Sequence, residues 1–386
     1  MSGQWMAVQS RGGVCDVIGM LFFAEAGGVV SPAIASYHGP EHLLESNMGL
    51  LSLARTLTIG AAIMISLPAA FAQGKLDKVS FGTNWVAEAE HGGFFQAVVD
   101  GTYKNYGLDV TIVPGGPNVN NRILLISGKL DFFMSANTLQ SFDAVANNVP
   151  VIAIAAIFQK DPQVFVSHPD PKVTKLEDLK SKTLFISKEG IVGYFQWMKL
   201  EYGFSESRVK PYNYNAQPFI VDKNSAMQGY VTSEPFLIEK QAGFKPNVML
   251  LADYGLNGYS TLIEARRETV EKSPDMVQRF VDASIIGWYN YLYGDNKAAN
   301  AMIKKLNPEM TDELLAYSTA VMRDQGIVDS GDTLKNGIGA MSDERAASFF
   351  DKMSRAGVVK RDIDYRRAYT LQFVNKGVGL DIRPKK

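Results

Sequence analysis

The sequence predicts an α/β protein of two lobes, each a mainly parallel sheet flanked by helices. Three observations predict it. From residue 78 onward short apolar runs alternate with helical ones, the pattern of βαβ units with right-handed crossovers. Across residues 167–182, SHPDPKVTKLEDLKSK, composition turns abruptly to proline and charge, and a second alternating series follows. Finally, the span from residue 73 onward exceeds what one hydrophobic core usually serves.

The first series runs KVSFGTNW (strand), GFFQAVVDGTYKNY (helix), LDVTIVP (strand), NNRILLISGKL (helix) and DFFMSAN (strand). VPVIAIAAIF and QVFVSHP are unbroken apolar runs, which read as strands covered on both faces. The second series is TLFIS (strand), IVGYFQWMKLEYGF (helix), VKPYNY (strand), AMQGYVTSEPFLIEKQAGF (strand, then helix) and VMLLADYG (strand). After Gly258 the chain reads as helical for most of its length. Ser273 reads as an N-cap with Pro274 at the first helical position. Val277, Phe280, Val281, Ile285 and Trp288 then share one face, which reads as core packing. These boundaries put residues 78–166 plus 259–386 in lobe one and 172–258 in lobe two.

Upstream, residues 48–73 read MGLLSLARTLTIGAAIMISLPAAFAQ. One basic residue (Arg55), an uncharged run over 56–72 and small residues at Ala70 and Ala72 are the three parts of a secretory signal peptide. The run is at the short limit for a bilayer span, which needs about 20 residues. The expectation is a signal peptide over 48–72, cut before Gln73, with residues 1–47 an upstream extension outside the fold; a membrane anchor is the alternative.

Removing Arg11, Arg55, Asp16, Glu25, Glu41 and Glu45 leaves 37 basic and 36 acidic side chains from residue 73 onward. Nucleic-acid binding needs a basic stripe to displace counterions, and no such excess is present. The one cysteine, Cys15, lies upstream, so the remainder has neither disulfides nor a thiolate metal site. His91 and His168 are its only histidines, too few for a histidine-rich metal centre. No G-x-S-x-G, Walker A, G-x-G-x-x-G or H-E-x-x-H motif occurs. His91-Gly92-Gly93 is similar to the oxyanion-hole loop of esterases, but lacks a nucleophile elbow to serve. No cofactor and no metal are expected.

The stretch NWVAEAEHGGFFQAVVDGTYKNYGLDVTIVPGG (residues 84–116) resembles the opening of the solute-binding proteins of ABC importers, in the group of nitrate, sulfonate, taurine and thiamine-pyrimidine (NMT1/THI5-like) binders. Gly101, Tyr103, Gly107, Leu108, Asp109 and Val110 match that family's G-x-(Y/F)-x-x-x-G-L-D-V segment. SGKLDFFMSA (127–136) resembles its a-G-x-x-D strand, with Phe133 in place of a small residue. KLEDLKSKTLFIS (175–187) resembles the entry to its second domain, with Ser181 where glycine is usual. VTSEPF (231–236) is similar to the NEP segment of pyrimidine binders, with Ser233 for asparagine. The resemblance implies a type II periplasmic binding protein fold, a ligand held between two lobes, a permease partner in the inner membrane, a periplasmic location and a monomer without catalytic residues.

In open α/β sheets, ligands sit beyond the carboxyl ends of strands, where NWVAEAEHGG, MSAN and ISKEG all lie. The candidate ligand-binding residues are Trp85, His91, Ser135, Asn137, Phe158, Ser187, Tyr194 and Glu234. Each has a structural alternative: packing for Trp85 and Tyr194, helix capping for His91 and Ser187, a helix N-terminal carboxylate for Glu234. Trp85, Phe158, Phe165 and Tyr194 offer flat faces and Glu234 an acceptor, so a heteroaromatic compound such as a thiamine pyrimidine precursor is the first ligand expectation. A sulfonate (taurine-like) or nitrate anion is the second, disfavoured by Glu88, Glu90 and Glu189 in the mouth segments. An exported enzyme using His91 and Glu234 as an acid–base pair is the third.

Overall fold

The computed structural model describes residues 75–116 and 119–385; the expectations for residues 1–47 and the signal peptide at 48–72 lie outside these. Strands β1 (Asp77–Gly82), β2 (Leu108–Val113), β3 (Phe132–Asn137) and β4 (Val151–Phe158) come first. Next are β5 (Gln163–Ser167), β6 (Thr183–Ile186), β7 (Val209–Pro211), β8 (Ser225–Tyr230) and β9 (Asn247–Leu250), with β10 (Ser260–Arg266) last. They form two five-stranded sheets, ordered β2-β1-β3-β10-β4 and β7-β6-β8-β5-β9.

Each sheet has a parallel βαβ core. β1 pairs with β2 and β3, and β6 with β7 and β8, all parallel. Into each core one antiparallel strand is inserted: β10 between β3 and β4, β5 between β8 and β9. These two strands follow the crossings between lobes, so each enters its sheet from the side opposite to the βαβ strands.

Two sequence expectations change here. The apolar run at 163–167 belongs to the second sheet, so the first crossing is the short stretch 159–162 rather than the proline-rich segment at 167–182. The second change is β10, in a region read as helical. Its Glu264 and Arg266 resemble surface charges of a helix, yet Glu264 is fully buried. Arg122 pairs with it at 3.2 Å and the Ser141 hydroxyl donates to it at 2.9 Å, which satisfies a carboxylate in the middle of a sheet.

The long helix Pro274–Tyr293 buries the predicted face against the first sheet. Phe280 stacks on Phe132 at 4.1 Å, and Trp288 meets Phe94 and Phe158 edge-on at 5.7 and 5.6 Å. Ser273 occupies the N-cap position but makes no side-chain cap bond, leaving Pro274 as the start signal. The helix predicted over 93–106 is broken at Gly101, whose φ of 79° is left-handed.

Both crossings are held by one side chain from the helix Asp343–Arg355. The Arg345 guanidinium donates to Gln159 Oε1 at 3.1 Å and to the Gln159 carbonyl on the first crossing. It also donates to the Asn257 carbonyl at 2.8 Å and the Gly258 carbonyl at 3.3 Å on the second, and lies 4.1 Å over the Tyr259 ring. Lys160 and Asp253 join the crossings directly at 2.7 Å. The hinge region is thus a hydrogen-bonded unit rather than two free linkers.

Candidate functional site

The loops after β1, β7 and β8 meet where the two lobes face each other. From lobe one comes the loop after β1. The Thr83 hydroxyl donates to the Trp85 carbonyl at 2.8 Å, and the Gly115 N–H donates to the same oxygen at 2.9 Å. That fixes the backbone beneath a half-buried indole. Trp85 faces Tyr214 from the other lobe, ring centres 5.9 Å apart and tilted by 34°, and Tyr214 in turn lies 5.5 Å from Tyr212. Tyr212 and Tyr214 follow β7 in the run PYNY, where the chain leaves the strand and turns through a left-handed φ of 57° at Tyr214.

Behind the aromatic mouth the lobes meet through polar groups. The Thr232 hydroxyl donates to the Glu90 carboxylate, the Ser318 hydroxyl to the Thr232 carbonyl at 2.6 Å, and the Tyr317 hydroxyl to the Val231 carbonyl at 3.1 Å. Glu234, at the start of the helix Glu234–Ala242, accepts from the Tyr230 N–H at 2.6 Å and from the Ser233 hydroxyl at 2.7 Å. It lines a cavity of about 330 Å³ together with Tyr212, Tyr214, Asn215, Gln217 and Leu237, all residues of lobe two.

The cleft is acidic without a compensating cation. Burial pushes the Glu88 carboxyl well above the usual range, reinforced by Glu90 and Glu234, and burial likewise raises Glu90 and Glu234. Asp161, on the first crossing, is pushed up to about 6 by burial, against the opposing pull of the Gln163 N–H and Asn137 amide. Glu90, Asp161 and Glu234 take part in no ion pair among the described residues; Glu88 has only His91, at 3.6 Å. That histidine is itself driven down to about 3 by burial and is neutral at ordinary pH.

The sign for Asp161 gives a stability prediction. A carboxyl whose folded-state pKa is raised from 3.8 to about 6 contributes stability that is intact below pH 3.8 and lost as pH rises through 6. At pH 7 the loss is about 3 kcal/mol. Asp161→Asn is therefore expected to melt higher than the unmodified protein at pH 7, with the difference vanishing near pH 4. A variant less stable at both pH values would mean that the carboxylate is satisfied in the folded state.

Among the sequence candidates, Trp85 and Glu234 stand in the cleft. The Asn137 side chain caps the following helix, accepting from the Leu139 N–H at 3.1 Å, and its amide approaches Asp161 at 3.5 Å. Ser187 caps the helix Lys188–Val192, accepting from the Gly190 N–H at 3.2 Å. The Tyr194 hydroxyl donates to Gln228 Oε1 at 2.8 Å, an oxygen that also accepts from the Ser187 N–H at 2.6 Å. Tyr194 is thus tied to its own lobe and backed by Phe165 edge-on.

Three candidates are placed elsewhere. Phe158 is wholly buried against Trp288, because its strand is covered on both faces. Ser135 is fully buried inside β3 opposite Leu262, its hydroxyl without a hydrogen bond. His91 is fully buried, and neither ring nitrogen makes a hydrogen bond, so it is not the capping residue its position suggests.

The two glycines after His91 serve packing rather than an oxyanion hole. A Cβ on Gly92 would lie 2.1 Å from the Tyr291 ring, and one on Gly93 2.2 Å from Trp288. Sequence reading missed Asp161, Tyr212, Tyr214, Tyr230 and Thr232 as cleft residues. PYNY after a strand and a lone Asp between two apolar strands were the available signals.

No group of three or more metal-ligating side chains, and no helix long and apolar enough to cross a membrane, occurs among the described residues. The profile of the family described as NMT1/THI5 like matches residues 88–298, more than half of the chain. The riboflavin-binding protein RibY of Chloroflexus aurantiacus is 22% identical over 333 residues, covering 84% of this chain and 93% of that protein. The 4-amino-5-hydroxymethyl-2-methylpyrimidine phosphate synthase of Schizosaccharomyces pombe is 27% identical over 141 residues, 36% of this chain and 39% of that protein. The periplasmic aliphatic sulphonate-binding protein SsuA of Escherichia coli superposes with a TM-score of 0.56 at 14% identity, covering 76% of this chain and 91% of that one.

Proposed function

The chain belongs to the NMT1/THI5-like family, and from that premise we propose that it is the extracytoplasmic solute-binding component of an ABC importer, taking a small heteroaromatic compound into the interlobe cleft. Its fold is the two-lobed fold of periplasmic binding proteins. The observation that carries the ligand class is the Trp85–Tyr214 pair at the mouth, one ring from each lobe, above the Glu234 carboxylate. A flat ring slid against these faces gains contact area, while an exocyclic amino group finds an acceptor. The names of RibY and of the pyrimidine synthase point toward ring-shaped ligands. The proposal includes export through the signal peptide at 48–72, a periplasmic location, action as a monomer and delivery of the solute to an inner-membrane permease.

The sulfonate alternative draws on the likeness to SsuA, which at 14% identity concerns the fold alone. An anion would meet Glu88, Glu90, Asp161 and Glu234, none of which is paired with an arginine or lysine among the described residues, an unfavourable field. The acid–base pairing of His91 with Glu234 finds no support, since the carboxylate within ion-pair distance of His91 is Glu88.

Calorimetric titration with 4-amino-5-hydroxymethyl-2-methylpyrimidine, riboflavin and taurine tests the proposal. One of the two ring compounds is expected to bind, and Trp85→Ala and Glu234→Gln each to weaken it by about tenfold, the free energy of one aromatic contact or one charge-assisted hydrogen bond. Binding of taurine alone, strengthened by Glu234→Gln, would overturn the ligand class.

A further inference from the structure

We propose that Gln228 sets ligand specificity from lobe two, its amide Nε2 donating to an acceptor on the edge of the ring, either a ring nitrogen or a carbonyl oxygen. This rests on the reading of the protein as a binder of heteroaromatic solutes, and adds a named contact and the hydrogen-bonding sense of the ligand at it.

Gln228 lies on β8 and is only 8% exposed. Its Oε1 accepts from the Ser187 N–H at 2.6 Å and from the Tyr194 hydroxyl at 2.8 Å. A backbone N–H can only donate, so the atom facing Ser187 has to be the oxygen, and the amide cannot be turned over. Its NH₂ group, with two donors, therefore points away from both partners. Nε2 has no hydrogen-bond partner among the described residues, and unlike the sealed nitrogens of His91 and Trp288 it keeps contact with solvent. A purely structural glutamine this deeply buried would have both ends engaged. One end fixed and the donor end open is the arrangement of a preorganised recognition group.

The surroundings hold that amide still. The Ser187 hydroxyl accepts from the Gly190 N–H at 3.2 Å, which fixes the turn that presents the Ser187 N–H. Gly190 leaves the room the amide needs: a Cβ there would lie 2.9 Å from Gln228 Oε1 and 2.6 Å from the Tyr194 hydroxyl oxygen. Phe165, the β5 residue opposite Gln228, backs the Tyr194 ring edge-on at 6.2 Å. The same loop runs to the lobe boundary. A Cβ on Gly193 would lie 3.7 Å from Leu139 Cδ1, on the lobe-one helix that Asn137 caps. Ser187 is also close enough to the hydroxyl of Tyr214, the partner of Trp85, to pull its pKa down against burial. Ser187 and Tyr194, which bond within their own lobe, are thus positioning residues for Gln228. Whereas the Asp161 and Glu234 carboxylates accept hydrogen bonds when ionised, the Gln228 amide donates at any pH.

Both ring probes carry suitable acceptors: 4-amino-5-hydroxymethyl-2-methylpyrimidine has ring nitrogens, and riboflavin has ring nitrogens and carbonyl oxygens. Calorimetric titration of the unmodified protein, Gln228→Glu and Gln228→Met with each compound at pH 8 tests the proposal, with thermal melts recording that the variants fold. Gln228→Glu keeps an oxygen for Ser187 and Tyr194 but replaces the open donor with an acceptor, and is expected to weaken whichever compound binds by about tenfold or more. Gln228→Met removes the amide and should weaken it by about tenfold. Where the pyrimidine is the compound that binds, (2-amino-4-methylphenyl)methanol, its counterpart with both ring nitrogens replaced by C–H, should bind the unmodified protein about tenfold more weakly and lose that disadvantage in Gln228→Met. A folded Gln228→Glu that binds as tightly as the unmodified protein makes Gln228 a structural residue and overturns the proposal, while the heteroaromatic reading stands. Failure of both variants to fold overturns it in the same way. If the unmodified protein binds neither ring compound, the reading itself fails and the proposal falls with it.

Discussion

Gly287→Val is expected to unfold the protein or to lower its stability by about 3 kcal/mol or more. A Cβ at this position would lie 2.3 Å from the Gly93 carbonyl oxygen and 2.6 Å from the Ala97 Cβ. The obstacle is backbone, which no rotamer change can clear. The helices Gly92–Val99 and Pro274–Tyr293 would have to separate, pulling Phe94 from Trp288 and shifting the loop that carries Trp85, Glu88 and Glu90. Gly101 is the control. A methyl group there would have nothing within 4 Å, but the backbone has a left-handed φ of 79°, so Gly101→Ala should cost only about 1–2 kcal/mol of backbone strain. Thermal melts of both variants separate packing from conformation; similar losses at the two sites would refute the close-packing role of Gly287.

Arg122→Ala is expected to cost about 3–5 kcal/mol, the penalty for leaving a buried charge without its partner. Glu264 is inaccessible to solvent on β10, which is paired on both sides by β3 and β4, and Arg122 meets both of its oxygens at 3.2 Å. The second substitution is informative: in Arg122→Ala/Glu264→Gln the buried charge is gone, and most of the lost stability should return. If the double variant is no more stable than Arg122→Ala alone, the ion pair is not what holds β10 in register. Chemical denaturation of the unmodified protein and the two variants decides this.

The sequence showed the βαβ cores clearly because apolar periodicity and turn residues agree there, as in LDVTIVP and DFFMSAN. It failed at the places where the chain changes lobe. Nothing local distinguishes Gln163–Ser167, which joins the second sheet, from Val151–Phe158, which stays in the first: both are apolar runs buried on both faces. β10 was hidden for a different reason. A central strand carrying Glu264 violates apolar patterning, and only the distant Arg122 and Ser141 make it tolerable.

The site was partly legible for a related reason. Trp85 and Glu234 follow strands directly, so the rule that ligands meet strand carboxyl ends named them as candidates. Phe158 satisfied the same local description but points into a core set by Trp288, 130 residues away in sequence. Asp161 and Tyr214 needed the opposite lobe to give them meaning, and cross-lobe proximity leaves no mark in the local sequence.

Trp85 provides the most direct test of the central claim that a ring-shaped solute enters between the lobes. Trp197 and Trp288 are buried in the cores, whereas Trp85 is half-buried at the mouth. Tryptophan fluorescence during titration with 4-amino-5-hydroxymethyl-2-methylpyrimidine or riboflavin, whichever binds, should therefore show saturable quenching. In Trp85→Phe, which keeps a flat face, calorimetry should still detect binding while the quenching disappears. Quenching that persists unchanged in Trp85→Phe, or calorimetric binding with no fluorescence response in the unmodified protein, would place the ligand elsewhere and contradict the interlobe site.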